Sequence, residues 1–333
     1  MHADFFRKFL LWTLLAAFMF LPATLPQACA AKDSSGFEYR NIAGRKYYRA
    51  YDIARYYRMR LTRVKNAYEL TGYQGRMVFN PQKRYGSFNN VVINYDFAPQ
   101  VYKGELYISS SDFFNHVQVL LNVRSLRQIG VRTILIDPGH GGNDRGASGL
   151  RYNEKSLTLQ VAKRLQRILS KMGYRVLMTR VNDRRLELSE RARAANAAQV
   201  DLFISIHMNA AGNRSVSGIE TFALTPPGAP SSGGEKVFYN NYPGNNAINN
   251  SMSLAWNVQN QLRRYTKAPD RGVKRARFVV LRETRCPSIL IECGFISNRS
   301  EELKLGSAAY QEQLAGGIAM GIYNYHRNLR RSN

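Results

Sequence analysis

Three short apolar runs in the second half of this chain each stop at a residue able to do chemistry. Residues 133–136 lead into Asp137-Pro138-Gly139-His140-Gly141-Gly142, residues 202–206 end at His207, and residues 288–291 end at Glu292. Runs of four or five apolar residues bounded by Gly and Pro read as buried strands. In an open α/β sheet, ligands collect outside the carboxyl ends of the strands. A second glutamate, Glu154, follows His140 by fourteen residues in Asn153-Glu154-Lys155. Two imidazoles, one carboxylate ligand and one spare carboxylate at a sheet edge are the parts of a hydrolytic zinc site.

Each residue alone has a plainer explanation. A lone histidine is usually a hydrogen-bonded core or surface residue, and a strand-end glutamate is usually a solvated cap. The joint pattern separates this set, together with the glycines around His140 that permit a close approach or a φ > 0 turn. The other three histidines lack that setting. His2 falls in an N-terminal export segment, His116 on a helix of another region, and His326 in a basic C-terminal helix.

The first thirty residues read as that export segment. Arg7-Lys8 precede an apolar stretch to Leu21, and Ala28-Cys29-Ala30-Ala31 follows Pro22 and Pro26. This is a charged n-region, an h-region and a small-residue cleavage site, with cutting expected after Ala30. The apolar stretch is short for a transmembrane helix, so no stable membrane anchor is expected after cleavage. Cys29 leaves lipidation open as the alternative. The expected location is therefore the periplasm, the cell wall or the exterior.

The chain of 333 residues is 44% hydrophobic, ordinary for a globular protein, but carries a formal charge of +25. Residues 1–30 hold Asp4, Arg7 and Lys8, so cleavage leaves +24. Such a field favours acidic partners. After export these are anionic envelope polymers and lipids; no nucleic-acid motif is present, and nucleic acid is not expected. A solvated, solubilising surface is the competing explanation of the charge. Cys286 and Cys293 flank the expected strand over 288–292, and the seven residues of extended chain that separate them span roughly 23 Å, so they cannot pair with each other.

Two units follow the export segment. Residues 31–126, a small α+β unit dense in Tyr and Arg, contain a faint repeat at an offset of 60. Gly44-Arg45-Lys46-Tyr47-Tyr48 matches Gly104-Glu105-Leu106-Tyr107-Ile108, each copy reading as a strand running into a helix, over residues 50–60 and 110–121. The unit resembles the copper amine oxidase N-terminal-like domain of exported bacterial enzymes, which implies no metal here. Wall binding and mere spacing are both open.

Residues 131–328 alternate strand and helix. Helices are expected over 156–172, 189–196, 252–266 and 308–328, and strands over 174–179, 218–224 and 278–281 besides the three runs above. Residues 225–250, rich in Pro, Gly, Ser and Asn, read as a long loop. This order predicts a three-layer α/β domain around a mostly parallel or mixed central sheet.

The same unit is similar to the type 3 class of zinc-dependent N-acetylmuramoyl-L-alanine amidases. The matching words include the stretch from Ile136 to Gly142, Asn153-Glu154-Lys155, Thr179-Arg180, Glu190-Arg191, Ser205-Ile206-His207-Met208-Asn209-Ala210, Gly218-Ile219-Glu220-Thr221, Arg271-Gly272-Val273-Lys274 and Ile291-Glu292-Cys293-Gly294-Phe295. The resemblance implies peptidoglycan as substrate, one Zn²⁺ on His140, Glu154 and His207, and Glu292 as the catalytic proton carrier. It also implies hydrolysis of the amide between the lactyl group of N-acetylmuramic acid and L-alanine.

Larger members of the class carry a regulatory helix near the position of 225–250 and answer to a protein regulator. Glu235 is the residue of this segment able to reach a metal, against a plain rim loop. Asp137 reads as orienting a histidine or as a turn former. Arg282 and Arg285 read as partners for substrate carboxylates or as solvated arginines. Cys293 beside Glu292 suggests sensitivity to oxidation.

Overall fold

The computed structural model describes residues 31–34 and 36–330, so the expected export segment, its cleavage point and Cys29 lie outside the described residues. The first unit contains β1 (Ala31–Lys32), β2 (Glu38–Ile42), β3 (Arg45–Arg49), α1 (Ala50–Tyr56), β4 (Arg60–Val64), β5 (Ala67–Gly72), β6 (Gly75–Phe79), β7 (Tyr85–Phe88), β8 (Val91–Asn94), β9 (Gln100–Tyr102) and β10 (Glu105–Ser109). A helical stretch, α2, spans residues 110–121 and is π-wound over Phe113–Val117. The offset-60 repeat is real at this level. β3 runs into α1 and β10 into α2, and the two strands pair antiparallel with Tyr107 opposite Arg49 and Ser109 opposite Tyr47. The first helix is shorter than expected because Arg58, at φ +52, turns the chain out of it.

The second unit contains β11 (Thr133–Pro138), α3 (Glu154–Lys171), β12 (Arg175–Met178), α4 (Leu188–Ala197), β13 (Leu202–Asn209), β14 (Ile219–Leu224), β15 (Ala229–Pro230), β16 (Val237–Phe238), α5 (Ile248–Thr266), β17 (Asp270–Ala276), α6 (Val279–Glu283), β18 (Ser288–Phe295), α7 (Arg299–Leu305) and α8 (Ala308–Arg330). Its sheet is mixed, in the order β12-β11-β13-β18-β14-β17. β11, β12, β13 and β18 run parallel, while β14 and β17 run against them.

Strand alternation divides the core into two faces. Ile134, Ile136, Leu202, Ile204, Ile206, Ile289 and Ile291 pack with Leu157, Val161 and Leu165 of α3 and with α5 and α8. Leu135, Phe203 and Leu290 point the other way, against Ala195 of α4 and Val280 and Leu281 of α6. The three-layer expectation holds. Each fully buried aliphatic side chain in these layers is worth roughly 1.5–3 kcal/mol relative to exposure.

Two elements differ from expectation. Residues 278–281, apolar enough to read as a strand, form the start of α6, and the strand is β17 just before them. β17 carries Arg, Lys and Asp side chains, which masked its buried backbone position in the sheet. Helix α7 was not anticipated, although Asn298 accepts hydrogen bonds from the Ser300 and Glu301 N–H groups as an N-cap.

The large sheet does not stop at β17. It continues through β8, β7, β6, β5 and β4 of the first unit, eleven strands in all. Val273 on β17 pairs with Ile93 on β8. Asp270 accepts the Val92 N–H at 2.9 Å, and Asn94 donates to the Val273 carbonyl. The Trp256 ring packs on Phe88, 5.1 Å between centroids. The two units read from sequence thus share one sheet.

Candidate active site

The parallel strands place their carboxyl ends on one edge. At the end of β11 the Gly139 N–H bonds the Ile206 carbonyl, and the next residue, His140, takes φ +61. A left-handed conformation costs a non-glycine residue of order 1 kcal/mol or more and persists only where surrounding structure enforces it. Here the enforcement is visible. Arg180 donates to the carbonyls of Pro138 and Gly139, and Arg191 donates to those of Pro138 and His140.

Both arginines and Asp137 are buried. Asp137 accepts from Thr179, Arg191 and Ser205 at 2.7, 2.7 and 2.9 Å. Asp137 therefore orients no histidine directly; it anchors the Arg191 side chain that shapes the histidine's backbone.

Three side chains converge at this edge. Glu154 opens α3, whose N-cap Asn153 accepts the Ser156 N–H. One Glu154 carboxylate oxygen lies 3.1 Å from His140 Nε2 and the other 2.9 Å from His207 Nδ1. The same two oxygens accept the backbone N–H groups of Ala147 and Met208. Burial alone would raise the Glu154 carboxyl, but hydrogen bonds from His140 and His207 hold it far below the ordinary carboxylate range. His140 Nδ1 meets Asp144 Oδ2 at 2.8 Å, a contact that fixes the ring. Ligand atoms of His140, Glu154 and His207 all lie within 4.8 Å of one another.

The glycines around the group are steric necessities. A Cβ on Gly139 would sit 2.3 Å from the His207 ring, and one on Gly146 would sit 2.6 Å from a Glu154 oxygen. Gly146 also takes φ +64, which only glycine adopts freely.

Glu292 stands beside this group. It is the register partner of His207 across the parallel β13–β18 pair and of Glu220 across the antiparallel β14–β18 pair. Its Oε2 is buried and has no hydrogen-bond partner among the described residues. Burial first, then the charges of Glu154 and Glu220, push its carboxyl well above the ordinary range, with Lys274 opposing. Glu220 is itself held by Asn209 at 2.6 Å, by Arg271 Nε at 3.0 Å and by Lys274. Glu220, Arg271 and Lys274 stand in the family words of the sequence, but nothing local in those words marks them as one carboxylate–cation cluster.

Other expected participants lie elsewhere. β14 leaves the site edge at Glu220 and reaches the opposite edge at Leu224, so residues 225–247 start there. Glu235 is exposed in that distant segment and cannot reach the edge that holds His140. Arg277 and Arg84 fasten the segment through the carbonyls of Pro226, Ala229, Pro230, Ser231 and Gly234. Arg285 precedes β18 and bonds Asn196 through its backbone, and Arg282 stacks on Tyr242; both belong to the same far edge. The carboxylate-binding role expected of these two has no support from their position. Cys293 is fully buried and burial pushes its thiol up, the setting of a structural cysteine; both described cysteines are free.

Residues 134–324 match the N-acetylmuramoyl-L-alanine amidase family. The chain belongs to that family of peptidoglycan hydrolases. Over 195 residues this amidase is 39% identical to the uncharacterized protein YqiI of Bacillus subtilis (strain 168), covering 59% of this chain and 85% of that one. It is 38% identical to N-acetylmuramoyl-L-alanine amidase LytC of the same organism, with 59% of this chain and 36% of LytC covered. The solved N-acetylmuramoyl-L-alanine amidase from Clostridium difficile 630 superposes with a TM-score of 0.51 at 39% identity, over 59% of this chain and 97% of that structure. Within the amidase described here, the strands β1–β10 precede the matched segment.

Proposed function

We propose that this amidase hydrolyses the bond between the lactyl group of N-acetylmuramic acid and the L-alanine of the stem peptide, with Zn²⁺ held by His140, Glu154 and His207. The observation that carries this reading is the convergence of those three donors beside Glu292, whose buried Oε2 has no partner among the described residues. The donor set fits the ion: two imidazoles and one carboxylate kept anionic are a catalytic zinc complement that leaves a position open. Zn²⁺ in such a site supplies Lewis acidity, polarising a carbonyl and bringing the pKa of water toward about 7.

The chain's own residues do the rest. Glu292 Oε2 accepts the proton of the attacking water and returns it to the departing L-alanine nitrogen, a role worth typically 10²–10⁴-fold. Glu154 and Glu220 raise the cost of ionising Glu292; a bound cation and Lys274 offset that cost. The Asp137–Arg191 pair and Arg180 keep the His140 loop in its strained form, so the imidazole is aimed before substrate arrives.

Export to the periplasm or cell wall, and recruitment of the basic surface by anionic envelope polymers, complete the reading. No described helix is long and apolar enough to cross a membrane.

Mass analysis of digested peptidoglycan, with and without a chelator, tests it. Release of intact stem peptides beginning with L-alanine, abolished by chelation and restored by zinc, is the expected result. Cleavage within the stem would make the protein an endopeptidase. Binding without cleavage would make it a wall-binding protein.

A further inference from the structure

The charges next to Glu292 do not balance. Glu220 is almost fully buried and is shared by two cations, Lys274 and Arg271. Lys274 spends its ammonium on that carboxylate. Arg271 gives it only Nε, at 3.0 Å, and its two terminal nitrogens have no hydrogen-bond partner among the described residues. The Arg271 side chain is 35% exposed and its guanidinium lies 4.9 Å from the centroid of the Phe295 ring. Phe295 ends β18 opposite Asn209, so the guanidinium sits on the edge that carries His207. Nε on a buried carboxylate and a face on an aromatic ring fix the plane of an arginine and leave its outer fork to bind a planar anion.

We infer that Arg271 is the specificity residue for a carboxylate on the stem-peptide residue that follows L-alanine. This rests on the function proposed above. β17 lies two strands from β18, about 10 Å at ordinary strand spacing, with Glu220 of β14 between them. An extended substrate advances about 3.4 Å per residue, and the arginine side chain leans back toward Glu220 and Phe295. With the stem peptide laid across β14 toward β17, a carboxylate carried by the residue after L-alanine would come within reach of the free fork. Glu220 and Lys274 together are neutral, so within this trio the Arg271 cation is left uncompensated.

The test uses the full-length zinc-loaded protein and two soluble muropeptides that differ only at the residue after L-alanine, carboxylate in one and carboxamide in the other. The wild type is expected to favour the carboxylate substrate in kcat/KM by roughly 10-fold or more, the usual scale for a hydrogen bond to a charged group. Arg271→Ala should lose most of that preference, chiefly through KM for the carboxylate substrate, and Arg271→Lys should keep part of it. Arg271→Gln, which retains the stem over Phe295, serves if the alanine variant folds poorly. Equal wild-type rates on the two substrates, or an unchanged ratio in both neutral variants, would overturn the assignment while leaving the amidase reading intact. Failure of the wild type to cleave either substrate would instead sink the proposed function and this inference with it.

Discussion

His207 and Glu292 are register partners on adjacent parallel strands, β13 and β18, so an imidazole of the candidate metal group and a second carboxylate share one sheet edge by strand pairing alone. Glu154 reaches the same place from a helix start, through its 2.9 Å contact with His207. The two glutamates therefore arrive by different routes and should fail differently. Glu154→Ala is expected to lower zinc content and activity together. Glu292→Gln should keep near-stoichiometric zinc and its melting temperature yet lose at least about 100-fold in rate. Elemental analysis beside turnover distinguishes them. A Glu292→Gln protein that binds zinc, folds and still cleaves near the wild-type rate would remove Glu292 from the mechanism.

Gly139 lies where a Cβ would approach the His207 ring to 2.3 Å. Gly139→Ala should displace that imidazole at a cost of about 1–3 kcal/mol, the usual range for overpacking. Zinc affinity and activity should fall while the fold survives. Unchanged zinc affinity would show that the ring has room to move.

Removal of the first unit should harm the second. A chain starting at residue 130 would expose the β17 edge and the face of Trp256 that Phe88 now covers, and open strand edges invite association. Such a chain is expected to melt several degrees lower than the full protein and to aggregate, since 1 kcal/mol corresponds to about 2–4 °C at this size. Identical melting and solubility would make the first unit an appendage after all.

A buried cluster at the junction predicts acid lability. His116, 3.2 Å from Asp112 and close to Asp96 and Arg275, has no aligned hydrogen bond on either ring nitrogen among the described residues. Burial pushes its imidazole down from 6.5 to about 3. The unfolded chain then binds a proton that the folded chain refuses, so this contribution is present above pH 6.5 and lost as pH falls toward 3. Asp112 works the other way. Burial raises its carboxyl from 3.8 to about 6, so its contribution is full below 3.8 and lost as pH rises through 6. Asp96, whose carboxyl burial also raises, works like Asp112, so the histidine's part is read against a variant: between pH 6.5 and 4 it contributes a fall in melting temperature. His116→Gln should flatten that fall relative to the wild type. Parallel melting curves for the two proteins would remove His116 as the cause.

The chemistry was legible in the sequence because it depends on local patterns. Apolar runs of strand length ending in His207 and Glu292, and a glycine-ringed His140, required no knowledge of distant contacts. The alternation of strands and helices was enough for the three layers. The tertiary structure decided which cations stand beside Glu292, and it brought Arg271 and Lys274 there while leaving Arg282 and Arg285 at the opposite edge. That outcome turns on the antiparallel direction of β14, which no local pattern encodes. The same holds for the joining of β8 to β17. Hydrogen bonds between backbones are indifferent to side-chain identity, so Val273 and Ile93 carry no mark of their pairing until the whole sheet is assembled.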